Sequence, residues 1–259
     1  MITLTSDFGL KDPYVAQMKG VILNINPKAT IVDITHDVEK FNIRTAAFML
    51  ASAAPYFAEG TVHLAVVDPG VGTQRRAIII QTQKGFFVGP DNGILVLAAQ
   101  NQGIEHVYHL MNPKLMLPKV SSTFHGRDIF APAAAYLDKG VKAVEFGAEI
   151  KDVFEPEFAK VKHNRDSLIG GVLHIDDFGN IITNISEQEM PQTHAEIVNV
   201  ELPNYSLKVA FVKSYAQSKL KEPVVLIGSH GFIEIALNQG NAAEKFQVKA
   251  GNKIIVSVT

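Results

Sequence analysis

Two short stretches place acid, base and cation in turns: Asp68-Pro-Gly-Val-Gly-Thr-Gln-Arg75 and Phe124-His125-Gly126-Arg127-Asp128. His125 precedes a glycine that lets backbone or substrate approach closely. A histidine so placed can orient a water or carry a proton near neutral pH. Asp68 ends a strand-like run, Thr61–Val67, and ligands in open α/β sheets bind outside the carboxyl ends of strands. The loop after Asp68 is not a P-loop, because no Gly-Lys-Ser/Thr follows, and Arg75 stands where a dinucleotide fingerprint needs its third glycine. Asp68 and Arg75 either join such a site or simply pair with each other across a tight connection.

Further candidates sit in other turns. Asp7, in Thr5-Ser6-Asp7-Phe8-Gly9, can accept hydrogen bonds from a ribose diol or cap its own turn. Arg127 and Asp128 suit a helix start, where negative charge is favoured. In His174-Ile-Asp-Asp-Phe-Gly-Asn180, Asp176 and Asn180 can grip an amine and a carboxylate beside Phe178, or else satisfy a β-hairpin turn. Gly228-Ser229-His230-Gly231 can offer backbone groups to a planar heterocycle, or only turn the chain. His36, Asp37 and His63 are metal-ligand types without a ligand spacing such as His-Glu-x-x-His, so no metal site is expected. His63 alternates on a strand and can face either side.

The elements that must carry these turns are legible from periodicity. Strands are expected at Ile2–Thr5, Thr30–Ile34, Thr61–Val67, Ala77–Thr82, Phe86–Val88 and Glu105–His109. Asp12 as N-cap with Pro13 at the first helical position starts a helix whose stripe is Val15, Met18, Ile22 and Ile25, ended by Pro27. Other helices are expected from Asn42 to Ala54, from Asn92 to Ala99 and from Asp128 to Leu137. This alternation predicts an α/β N-terminal domain, residues 1–153, with a mainly parallel sheet flanked by helices. Residues 154–167 lie in a charged stretch of little periodicity and read as a linker. Residues 168–259 predict a smaller all-β domain, a sandwich or barrel, with strands at Leu168–Ile175, Ile181–Ile185, Glu196–Leu202, Leu207–Val212, Val224–Ile227, Phe232–Ala236 and Lys253–Val258.

Bulk properties narrow the function classes. A formal charge of −2, without a basic cluster, argues against a nucleic-acid partner or an acidic membrane surface. Zero cysteines exclude disulfides and thiolate chemistry. The N-terminal residues lack the basic and apolar regions of a signal peptide, and no stretch is apolar enough to span a bilayer, so a cytoplasmic protein is expected.

In order along the chain stand Thr-Ser-Asp-Phe-Gly, Val-Asp-Pro-Gly-Val-Gly-Thr-x-Arg, Gly89-Pro-Asp-Asn-Gly93, Phe-His-Gly-Arg-Asp-Ile-Phe-Ala-Pro, Asp-x-Phe-Gly-Asn and a late Gly-Asn-Ala-Ala. This order closely resembles the S-adenosylmethionine hydrolase (adenosine-forming) family, the S-adenosylmethionine hydroxide adenosyltransferases, over essentially the whole chain. The resemblance implies hydrolysis to adenosine and methionine, with no cofactor. It further implies a homotrimer whose ligand lies between the N-terminal domain of one subunit and the C-terminal domain of its neighbour. Matched by motif, Asp68, Arg75 and His125 handle water and Asp7 holds the ribose diol. Asp176 and Asn180 hold the methionine amine, Ser229 falls in the carboxylate segment, and Phe178 and the backbone after Phe232 border adenine. His230 stands where some relatives have arginine. Fluorinase-like relatives place tyrosine where Asp68 stands and serine where Gly126 stands. A carboxylate would repel a halide, which favours water over the first alternative, a halide-dependent 5′-halo-adenosine synthase; the second, a non-catalytic S-adenosylmethionine sensor, would have no need of Asp68, Arg75 and His125.

Overall fold

The computed structural model describes residues 1–190 and 197–258, with the backbone alone for Val258. The chain divides into two compact units, Met1–Glu155 and Pro156–Thr259.

The first unit is built on six strands: β1 (Ile2–Ser6), β2 (Ile31–Thr35), β3 (Thr61–Val66), β4 (Ala77–Thr82), β5 (Gly85–Pro90) and β6 (Ile104–His109), in the order β2-β1-β3-β5-β4-β6. β2, β1, β3 and β5 run parallel, whereas β4 runs antiparallel to both β5 and β6. The sheet is mixed, with β4 alone running against the other five strands, a reversal that the mainly parallel sheet expected from strand–helix alternation did not include. The reason is local. Only Gln83 and Lys84 separate β4 from β5, and a parallel pair needs a crossover many times longer.

Four helices accompany this sheet: α1 (Tyr14–Ile25), α2 (Ile43–Ala53), α3 (Val96–Asn101) and α4 (Ala131–Asp138). Ile2, Leu4, Val62, Leu64 and Val66 bury against Met18 and Ile22 of α1 and the alanines of α4. Each fully buried Ile or Leu contributes about 1.5–3 kcal/mol, and the small alanines let α1 and α4 pack directly. Helix ends differ from expectation by their polar bonds. Pro13 occupies the N-cap of α1 without a side-chain bond, so Asp12 caps nothing there. Asn42 does cap α2, its Oδ1 accepting from Thr45 N at 3.0 Å. The helix expected from Asn92 starts only at Val96, because Gly93 turns left-handed at φ 96°. The helix expected from Asp128 is a π-turn, Gly126–Phe130, running into α4.

The second unit is a barrel. Its strands are β7 (Lys162–Asn164), β8 (Ser167–Ile175), β9 (Ile181–Ser186), β10 (Ile197–Leu202), β11 (Tyr205–Phe211), β12 (Pro223–Ile227), β13 (Phe232–Leu237) and β14 (Lys253–Val258). They run β14-β10-β11-β12-β13-β9-β8-β7, and β14 also pairs with β8, which closes the ring and leaves β7 outside it. Closure removes the edges that an open β-sheet would expose. Val172, Ile181, Val198, Val200, Val225, Ile233, Ile254 and Val256 fill the interior. The stretch expected as a linker contributes β7, paired Lys162 to Ile169; all three of its residues are exposed, so no apolar alternation marks it. One short helix, α5 (Ala242–Phe246), also escaped the periodic pattern, being five residues long. Glu196, expected to open β10, lies outside the described residues.

Candidate functional site

A cavity of about 620 Å³ opens in the first unit, walled in part by Asp7, Phe8, Phe41, Asp68, Phe124 and His125. Its acids arrive by topology. Asp7 follows β1 and Asp68 follows β3, two adjacent parallel strands that deliver their carboxyl ends to one side of the sheet. His125 stands immediately before the π-turn. A second contact brings its loop against the Asp68–Arg75 loop: a Cβ on Gly72, at φ 77°, would lie 2.3 Å from Ser122 O. Only glycine permits that approach.

Two of the lining residues, Asp68 and His125, are joined through Arg75 into one hydrogen-bonded set. Arg75 Nε donates to Asp68 Oδ1 and Oδ2, both at 3.0 Å, and Arg75 Nη2 donates to Oδ2. The same Nη2 donates to His125 Nδ1 at 2.9 Å. The pair is desolvated, with side-chain exposures of 11% for Arg75 and 5% for Asp68. The Arg75 guanidinium lies over the Phe130 ring, 5.2 Å from its centroid. An arginine can only donate, so Nδ1 of His125 accepts and the neutral ring carries its proton on Nε2. Burial and the Arg75 charge hold the His125 pKa below the usual histidine range, against the opposing pull of Asp68 and Asp128. Asp68 and Arg75 thus pair with each other and meet His125 as well.

Asp128 lies in the first turn of the Gly126–Phe130 element, at the helix start expected for it, and has further partners there. It is fully buried, and its carboxylate accepts from Arg127 Nε at 2.6 Å and from Ser121 N at 2.7 Å. It holds the loop that carries His125.

Asp7 is held by the chain after β2. Its Oδ2 accepts from Phe41 N at 2.9 Å, and its carbonyl accepts from Lys40 Nζ. Ser6, just before it, bonds His36 Nδ1 through Oγ at 2.7 Å. Sequence reasoning missed Lys40 and Phe41. Phe41 adopts φ 65° while 68% exposed, a strained backbone at the cavity wall. Nothing in its sequence context signals this.

In the second unit the Asp176 turn satisfies itself. Asp176 Oδ1 accepts from Phe178 N at 3.0 Å and Asn180 N at 2.8 Å, and Oδ2 accepts from Asn180 Nδ2 at 2.9 Å. Asp176 and Asn180 are therefore brought together, and the hairpin reading of these residues is realised. Three accepted bonds leave a carboxylate one lone-pair position, on Oδ2. Phe178 projects from the tip at 80% exposure. Ser229 is exposed, and Phe232 is buried at the start of β13. Beside this turn lies a cluster that sequence reading overlooked. Tyr215 donates its hydroxyl to buried Glu234 Oε1 at 2.6 Å, and His230 Nε2 meets Glu234 Oε2 at 3.2 Å. Burial and the Glu234 carboxylate push the Tyr215 hydroxyl well above the usual tyrosine range. His230 Nδ1 accepts from Phe232 N at 3.2 Å. The nine candidate residues fall in two groups: Asp7, Asp68, Arg75 and His125 in the first unit, the other five in the second.

Comparison with known proteins gives the same two-part division. Residues 2–147 match the SAM hydroxide adenosyltransferase N-terminal domain, and residues 170–255 match the C-terminal domain. A protein of Methanocaldococcus jannaschii named (R)-S-adenosyl-L-methionine hydrolase is 38% identical, over 96% of this chain and 92% of its own. One of the same name from Thermus thermophilus is 37% identical, over 95% of each. A fluorinase of Actinoplanes is more distant, at 28% identity over 99% of this chain and 97% of its own. Among solved structures, a conserved protein from Thermotoga maritima superposes with a TM-score of 0.87 at 39% identity, covering 99% of this chain and all of the other. With both domain models matched in order and full-length relatives above 30% identity, the chain belongs to the SAM hydroxide adenosyltransferase family.

Proposed function

We propose that the protein hydrolyses S-adenosylmethionine to adenosine and methionine by in-line attack of water on the ribose 5′ carbon. The observation that carries this reading is the bond from Arg75 to His125 Nδ1 beside Asp68, at the wall of the cavity. Full-length relatives named for the same hydrolysis support it.

The water oxygen bonds to C5′ as the C5′–S bond breaks. Sulfur keeps the electron pair and leaves as the neutral thioether of methionine, and the attacking water gives up one proton. Displacement destroys the sulfonium charge, so a polar solvent favours the ground state; excluding bulk water removes that advantage, and fixing one water in line supplies up to roughly 7–11 kcal/mol. With Nδ1 occupied by Arg75, His125 offers Nε2–H, a donor that orients the water and cannot take its proton. Arg75 only donates. Asp68 is left as the acceptor, a role typically worth about 10²–10⁴-fold in rate. Asp7, oriented by Phe41 N, holds the ribose diol.

The second unit's groups serve binding. Asp176 Oδ2 receives the methionine amine with Asn180 alongside, Ser229 lies at the carboxylate, and Phe178 and the backbone after Phe232 border adenine. The active assembly is a cytoplasmic homotrimer, each ligand held between one subunit's first unit and its neighbour's second. The reaction draws on no cofactor.

Incubation with S-adenosylmethionine in halide-free buffer tests the reading. Adenosine and methionine in equal amounts are expected. Intact ligand after long incubation, or 5′-halo-adenosine formed only on adding halide, would overturn it.

A further inference from the structure

The segment Gly89-Pro-Asp-Asn-Gly93 has no part in the chemistry above, yet it grips both roots of the Asp68–Arg75 loop. At one root Asn92 Nδ2 donates to Val67 O at 2.8 Å, on the peptide that precedes Asp68. At the other, Asp91 N donates to Arg76 O at 3.0 Å. The Asp91 carboxylate also accepts from Arg76 Nε at 2.8 Å and Nη2 at 2.6 Å. Asp91 is 3% exposed at its side chain, so this is a built contact rather than a surface pair. Adjacent arginines are thereby divided: Arg76 is committed to Asp91, and Arg75 to Asp68 and His125. Asp91 Oδ1 further accepts from Phe154 N at 2.8 Å, and Asn92 Oδ1 from Ile94 N at 3.2 Å. Both side chains are thus held at each end of their own reach.

We infer that Asp91 and Asn92 are positioning residues of the reaction, clasping the ends of the Asp68–Arg75 loop at the separation that lets Arg75 reach Nδ1 of His125. The loop has two glycines and no regular structure of its own, so its end points govern where Asp68 and Arg75 stand. Misplacement of reacting groups by about 1 Å can cost 10²-fold in rate. The kinetic consequence rests on the hydrolytic reading; the geometric one does not.

The test compares Asn92→Ala, Asn92→Asp and Asp91→Asn with Asp152→Ala. Asn92→Asp keeps the acceptor for Ile94 N but loses the donor to Val67 O. Asp91→Asn keeps an acceptor for Phe154 N, which spares folding. Asp152, 80% exposed, touches Arg76 alone among these groups and serves as control. Two readouts are taken: the titration of the His125 ring by NMR without ligand, and kcat and KM for S-adenosylmethionine. In the clasp variants Arg75 is no longer held against Nδ1, so the His125 midpoint rises toward 6.5. There kcat falls roughly 10–100-fold with KM within about twofold, while Asp152→Ala matches wild type in both. Clasp variants with an unmoved His125 midpoint and wild-type kcat, or with only a lowered Tm, would overturn the inference. A wild-type enzyme that releases no adenosine would sink the hydrolytic reading instead, and the NMR arm would still decide the clasp.

Discussion

Arg75 Nη2 donates to His125 Nδ1 at 2.9 Å while Arg75 Nε spans both oxygens of Asp68. This single relationship fixes the imidazole tautomer, and with it the roles that the three groups can take.

Protonating His125 would place two donors face to face at Nδ1. Its pKa is depressed by burial and by Arg75, so the ring is neutral above its lowered midpoint and charged below it. The account expects kcat to be flat near pH 7 and to fall in acid with a midpoint below 6.5. Replacing Arg75 with Met should move that limb upward. A kcat–pH profile unchanged by Arg75→Met would contradict the tautomer assignment.

Asp68→Asn preserves shape but removes the proton acceptor, so kcat should drop about 10²–10⁴-fold with KM little changed. The asparagine form is preferable to alanine, because removing one partner of a buried ion pair costs about 3–5 kcal/mol. Asp176→Asn keeps an acceptor for the turn while removing its charge, so KM should rise and kcat hold. Steady-state kinetics on both variants check this division. Equal effects of the two on KM alone would refute it.

Gly72→Ala puts a Cβ against Ser122 O in a left-handed backbone. The two loops must separate, and Arg75 leaves His125. Activity should fall at least tenfold, the order expected for misplaced groups, with Tm lowered by several degrees. Wild-type kcat in Gly72→Ala would show that the loop contact is dispensable.

His63 supplies a stability test far from the chemistry. Its ring stacks on Phe87 at 4.8 Å and bonds Thr3 Oγ1 through Nδ1 at 2.8 Å. Burial lowers its pKa to about 4. The unfolded chain therefore binds a proton as pH falls below 6.5 while the folded one does not. Stability is full above pH 6.5 and is lost progressively down to pH 4, by about 3 kcal/mol. Tm measured across this range should fall less steeply in His63→Phe than in wild type; an identical slope would reject the burial argument.

Much of this was legible in the sequence. Uncharged β-branched runs such as Thr61–Val67 gave strands, and the motif order placed acids at the ends of β1 and β3. The reversal of β4 was legible too, since the short break at Lys84-Gly85 leaves room only for a hairpin, but alternation of strands with helices outweighed it. What stayed hidden depends on contacts between distant residues. Asp128 is legible as a helix-start acid, but not as the partner that Ser121 N also needs. Phe41 is ordinary in sequence, and its left-handed backbone goes with a bond to the distant Asp7. Glu234 and Tyr215 sit 19 residues apart and share no local pattern.

The most direct measurement is the fate of isotopic oxygen when the enzyme turns over S-adenosylmethionine in ¹⁸O water, with products read by mass spectrometry. The account predicts one ¹⁸O in the 5′-hydroxyl of adenosine and none in methionine. Adenosine released without label would contradict attack of solvent water at C5′.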